Sequence, residues 1–199
     1  MGTVTFMGYP RHAQISLKET QHYHCVARCV RRGWLYGYDK YASKDYSHRK
    51  QWIIDRLTGL SALFAIDVCA YAVMSNHYHL GLFVGLQRTQ SWSEREVVRR
   101  WTQLYKLPEL VRRYLEQEVS LAEQDAAKAI IDTWRKRLMS VGWFMKEMNE
   151  HLARKANAED NCTGRFWAGF CSLQNRHSLH PCKSEAASNA KPCWTKPPS

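Results

Sequence analysis

A chain of 199 residues with 29 lysines and arginines against 18 acids, and a net charge of +11, predicts one basic domain, or one domain with a tail. No apolar run reaches the length of a membrane-spanning helix, which excludes an integral membrane protein of that kind. Residues 1–10 lack the charged start, apolar stretch and cleavage site of a secretory leader, and the seven cysteines form no Cys-x-x-Cys, so reduced thiols in a cytoplasm are expected.

Residues 21–30 alternate, predicting a strand with Tyr23, Cys25, Ala27 and Cys29 on one face and His22, His24, Val26, Arg28 and Val30 on the other. Arg31-Arg32-Gly33 ends it. Residues 46–64 carry Trp52, Ile53, Leu57, Leu60, Leu63 and Phe64 at helical spacing. A hairpin follows: 65–74, a turn at Ser75-Asn76, then 77–84. Capping boxes at Ser93-x-x-Glu96 and Ser120-x-x-Glu123 open helices running to Tyr105 and to about Leu138, with a short helix after Pro108 between them. Residues 141–157 predict an amphipathic helix, with Phe144, Met145, Met148 and Leu152 on one side and Lys146, Arg154 and Lys155 on the other. Thr163-Gly164-Arg165-Phe166-Trp167 marks a turn into an extended segment. Residues 171–199 have no apolar periodicity and almost no acid, which predicts a disordered tail.

The most informative segment is Met74-Ser75-Asn76-His77-Tyr78-His79-Leu80. Alternate side chains of a strand share a face, so His77 and His79 point the same way and Tyr78 points into the opposite layer. Two neutral imidazoles side by side suit a divalent cation and leave it open to a phosphate oxygen. The bland alternative is a pair of half-exposed histidines on a strand. The basic charge favours a polyanion, nucleic acid first, although a basic surface also serves solubility alone. Eight tryptophans and ten tyrosines among so many cations suit single-stranded nucleic acid, whose phosphates need charge and whose unstacked bases need flat platforms.

Four segments together resemble the single-tyrosine HUH transposases, and most closely the REP-associated tyrosine transposases of bacteria. They are Tyr23-His24-x-x-x-Arg28, the stretch from Ala70 through Met74-Ser75-Asn76-His77-Tyr78-His79, the helix beginning Phe144-Met145-Lys146-x-Met148-Asn149, and Thr163-Gly164-Arg165-Phe166-Trp167. The resemblance implies an α+β fold, a ferredoxin-like or RRM-like antiparallel sheet with helices packed on one face. It divides the chain into a transposase-like domain over 1–169 and a non-homologous tail over 170–199. It implies a bacterial cytoplasmic protein, monomer or homodimer, whose partner is single-stranded or hairpin DNA. It also implies a divalent metal, Mg²⁺ or Mn²⁺, held by His77 and His79, that polarises a scissile phosphate while a tyrosine attacks it. Arg28, Arg31, Arg32, Lys146, Arg154, Lys155 and Arg165 are expected to bind the DNA in one positive surface around the histidines.

The chain departs from the family after Gly169. The family's tyrosine lies on a later helix, with an Asn or Gln four residues on as third metal ligand. Here no tyrosine follows Tyr114, and no Asn-Pro occurs. The expectation is therefore a catalytically defective relative with no catalytic nucleophile and a weakly held metal, or a non-catalytic remnant that binds single-stranded nucleic acid. A frameshift accounts for the ending: with allowed codons, residues 191–199 read in the neighbouring frame as Lys-Ala-Leu-Leu-Asp-Glu-Ala-Ala-Leu, a helical sequence. The other explanation is a divergent, genuine tail. Cys162, Cys171, His177, His180 and Cys182 do not have zinc-ligand spacing. His24 is expected to be a packing or supporting residue, and His22 a surface one.

Overall fold

The structure is a computed structural model that describes residues 20–30, 33–168 and the backbone of 172–175. Strand β1 (His22–Arg28) is followed by a small hairpin, β2 (Tyr38–Asp39) and β3 (Lys44–Asp45), and by helix α1 (Arg49–Leu63). Strands β4 (Ile66–Val73) and β5 (His77–Val84) form the hairpin expected from the sequence. Five helices follow: α2 (Leu86–Gln90), α3 (Glu94–Trp101), α4 (Glu109–Leu115), α5 (Leu121–Leu138) and α6 (Val141–Glu159). Strand β6 (Ser172–Asn175) completes the order. The main sheet runs β4-β5-β1-β6, antiparallel throughout. Each helical crossover thus skips one strand, β1 to β4 around β5 and β5 to β6 around β1. That is the split β-α-β arrangement of the ferredoxin-like α+β fold.

Alternation decides which face is covered. Tyr23, Cys25 and Ala27 of β1 and Tyr78, Leu80, Leu82 and Val84 of β5 are buried, and they meet Ile53, Leu57 and Leu60 of α1 and Phe144, Met148 and Leu152 of α6 in one core. Each large side chain taken fully out of water stabilises the fold by about 1.5–3 kcal/mol. Tyr78 satisfies its hydroxyl by donating to Asn149 Oδ1 of α6 at 2.6 Å. In β4 the register shifts between Val68 and Ala70. The extra residue there re-aims the strand, so Tyr71 and Val73 face the helices while Ala70 and Ala72 flank the histidine side. On that second face no described residue of β1, β4 or β5 is buried.

Ser120 forms the predicted capping box with Glu123, and Ser93 caps α3 by accepting from the Glu96 N–H. Helix α3 stops at Trp101 rather than Tyr105: the Gln103 and Leu104 N–H groups close tighter turns onto the Arg100 and Trp101 carbonyls, at 3.3 and 3.0 Å. The β2–β3 hairpin and α2, at two to five residues per element, are too short to show a period in the sequence. Strand β6 lies inside the segment expected to lack structure. It pairs with β1 from Tyr23 opposite Asn175 to Val26 opposite Ser172. The rest of that segment, with Cys171, His177, His180 and Cys182, lies outside the described residues.

Carboxylate pairing makes the fold acid-sensitive. Bonds from Arg99 and Arg100 pull Glu96 down to about 2. For Asp160 burial works upward, but bonds from Arg49 and Lys44 outweigh it and hold the carboxyl below its usual range. The unfolded chain thus binds more protons than the folded one in this window, and the stabilisation present above about pH 4.5 is lost as pH falls towards about 2. Urea midpoints should fall over that interval, and Glu96→Gln should flatten the fall. An equally steep fall in the variant would show that Glu96 is not its source.

Candidate metal and nucleic-acid site

The register of β1 against β5 builds the site. Arg28 pairs with His77, Val26 with His79 and His24 with Gly81, so all these residues share the uncovered face. His77 and His79 are half-buried, their ring centroids 5.1 Å apart and their planes at 70°. Asn76 Oδ1 lies 2.7 Å from His77 Nδ1. An amide oxygen only accepts, so His77 donates from Nδ1 and keeps a lone pair on Nε2. His79 Nδ1 lies 2.9 Å from His24 Nε2. Burial, then the charge of Arg28, holds His77 below the usual histidine range. His79 is lowered by burial, then by His24, His77 and Arg28. Both rings are therefore neutral at neutral pH, the form that ligates a metal.

The turn that presents the pair is held from the far side of β1. A Cβ on Gly33 would lie 2.8 Å from Cys29 Cβ, so only glycine lets the chain fold back there, and its N–H closes onto the Val30 carbonyl at 2.9 Å. The returning segment donates the Leu35 and Tyr36 N–H groups to the Ser75 carbonyl, at 2.6 and 3.3 Å. Cys29 donates its N–H to the Asn76 carbonyl at 2.8 Å. A cleft of about 260 Å³ opens between these segments, lined by Arg28, Trp34, Ser75 and Asn76 among others. A larger one of about 1060 Å³ shares Val30, Gly33 and Trp34 with it and continues to Asn157 and Arg165.

The structure brings together only part of the expected cationic set. Arg28 is exposed beside His77, and Arg165 lines the larger cleft. Arg31 and Arg32 lie outside the described residues. Lys146, Arg154 and Lys155 do not join the histidines, contrary to expectation. Their helix packs on the opposite face of the sheet, against Tyr78 and Leu80, and turns these residues outward. There Lys146 and Arg154 both approach Glu150, at 3.8 and 3.7 Å, and Lys155 sits over the Trp52 ring. The aromatic rings divide: none of the described tryptophans is fully exposed and Trp101 stacks on Trp134 at 5.6 Å within the helical layer, whereas Trp34 lines both clefts and the exposed Tyr41 lines the larger one.

A divalent cation fits this site in part. The two histidines supply borderline nitrogen donors with neutral rings and at least one oriented Nε2 lone pair. Among the described residues no group of three His, Cys, Asp or Glu side chains is arranged to hold a metal ion. The remaining coordination positions would belong to water or to a phosphate. No protein-family model, curated protein or solved structure matches the chain. Among the described residues no helix is long and apolar enough to cross a membrane.

Sequence reasoning placed His77 and His79 on one face and missed Asn76 as the hydrogen-bond partner of the first. The signal was adjacent: a carboxamide one residue before a strand histidine, in a turn. The His24–His79 contact depends on cross-strand register, which no local pattern encodes.

Proposed function

We propose that this chain is a relative of the REP-associated tyrosine transposases that binds single-stranded or hairpin DNA on its open sheet face and lacks the nucleophile for cleavage. The observation that carries the reading is the pair of neutral, same-face imidazoles opening beside an arginine-lined cleft. His77 and His79 would hold Mg²⁺ or Mn²⁺ weakly through Nε2. Bound there, the cation would withdraw charge from a phosphate oxygen. Arg28 places a fixed positive charge beside the histidines, and Arg165 offers a second along the continuing cleft. A DNA strand running past the histidines would meet these cations in succession, while the helix-borne Lys146, Arg154 and Lys155 stay on the far side.

Each phosphate neutralised on a single strand releases counterions, with a slope of about −0.7 per contact in log affinity against log salt. Two to four contacts predict a slope between about −1.4 and −2.8. Fluorescence anisotropy with a labelled hairpin-bearing strand measures it. Arg28→Glu and Arg165→Glu should each weaken binding, whereas Lys146→Glu and Arg154→Glu should leave it nearly unchanged. Absence of binding at low salt, or a flat salt dependence, would sink the nucleic-acid reading. Equal losses from Lys146→Glu would instead move the binding surface to the helical layer.

A further inference from the structure

Three histidines, not two, meet on the open face. His24 and His79 are diagonal neighbours across β1 and β5, since His79 pairs with Val26, two residues from His24. Their facing nitrogens lie 2.9 Å apart and their ring planes differ by 7°. The centroids are 5.1 Å apart, close to that gap plus the two centre-to-nitrogen distances. The rings thus lie edge to edge in a common plane, with the hydrogen bond between His24 Nε2 and His79 Nδ1 running within it. Such a bond holds one proton for two nitrogens, so the tautomers of the two rings are tied together.

We infer that His24 is a positioning residue for His79: it accepts the Nδ1–H of His79, fixes the plane of that ring, and leaves Nε2 of His79 free to ligate a divalent cation. The inference rests on the metal reading above. Asn76 performs the same service for His77, so both imidazoles present Nε2. A ligating histidine characteristically donates its other N–H to such a partner. What is unusual here is that the acceptor is a third imidazole from a neighbouring strand. His24 keeps this place at a cost, because its Nδ1 is buried with no partner among the described residues. An apolar side chain such as the neighbouring Val26 would fill a strand position without that cost, so packing alone does not account for a histidine here.

Two variants and two readouts test this. Free-Mn²⁺ electron paramagnetic resonance measures metal affinity in wild-type protein, His24→Leu and His24→Gln. His24→Leu should lower affinity by about 10–100-fold, the usual consequence of losing a hydrogen-bond partner of a metal ligand. His24→Gln retains an acceptor oxygen and should recover most of it. Long-range ¹H–¹⁵N spectra of metal-free protein should show His79 protonated at Nδ1 in wild type and shifted towards Nε2–H in His24→Leu. A merely structural role would not move that signature. Unchanged Mn²⁺ affinity in His24→Leu, with wild-type binding intact, would overturn the role of His24 alone, as would an Nε2–H form of His79 in wild type. If wild-type protein binds no Mn²⁺ while His79 carries Nδ1–H, the metal reading fails, and with it the ligating role given to His79.

Discussion

Arg49→Met will destabilise the fold by about 3 kcal/mol, the lower end of the range for breaking a buried ion pair by removing one partner. The Arg49 side chain is 1% exposed. It donates from Nε to Glu159 at 2.7 Å, from Nη2 to Asp160 at 2.6 Å and from Nη1 to the Trp34 carbonyl at 2.7 Å. Its guanidinium lies 4.2 Å from the centre of the Tyr46 ring. It also sits at the C-terminal end of α6, where the helix carbonyls carry partial negative charge. Methionine fills similar volume but leaves two carboxylates facing each other and a carbonyl without its donor. The loss stays near the lower end because both carboxylates are about a quarter exposed and Lys44 still reaches them, at 3.6 and 3.2 Å. Urea unfolding followed by tryptophan fluorescence measures the change. A loss below about 1 kcal/mol would place this cluster with ordinary surface pairs. The effect should extend to the site, because the Trp34 segment that Arg49 holds continues into the Leu35 and Tyr36 N–H groups bonded to the Ser75 carbonyl. Metal and DNA binding should weaken together in this variant.

What the sequence revealed follows from which forces are local. The alternation in β1 and β5 set both faces correctly, because burial on one side of a strand is a period-two property. Helices α1 and α6 were legible from their apolar stripes, and α5 from its capping box. The bulge at Cys69 was not, since β4 beyond Asp67 reads as a continuous apolar run whichever face each residue takes. The same blindness misplaced Lys146, Arg154 and Lys155. Amphipathicity showed that they lie on the outer side of α6, but not which face of the sheet α6 covers. The inward direction of Tyr78 held that information, since a helix must receive Tyr78, and the residues beyond that helix then lie far from His77 and His79.

Incubated with a hairpin-bearing single strand and Mn²⁺ and then denatured, this chain will leave no DNA-linked band. The chemistry of the transposases that the chain resembles needs a tyrosine hydroxyl held against the phosphate, and such positioning contributes about 7–11 kcal/mol to the barrier reduction. No tyrosine follows Tyr114 in the sequence, and most of the described tyrosines are committed elsewhere. Tyr38 and Tyr41 are exposed on the β2–β3 hairpin, and Tyr41 lines the larger cleft, so Tyr38→Phe and Tyr41→Phe belong in the same test. Tyr71 and Tyr78 face the helices. Tyr105 donates to Glu147 in the helical layer, and burial together with that carboxylate raises its pKa. Tyr114 donates to Glu94 at 2.7 Å, and that bond raises its pKa as well. A raised pKa makes the attacking phenolate scarcer, and both tyrosines pack in the helical layer, away from the histidine face. Tyr36 approaches the Ser75 carbonyl through its backbone, but its ring lies 5.4 Å from the Lys50 ammonium, near the start of α1. A DNA-linked band lost in Tyr36→Phe would show that the loop supplies the nucleophile. One lost in Tyr105→Phe or Tyr114→Phe would require the helical layer to swing across the sheet. If no band forms in wild type while Mn²⁺-dependent DNA binding persists, the face retains recognition without the covalent step.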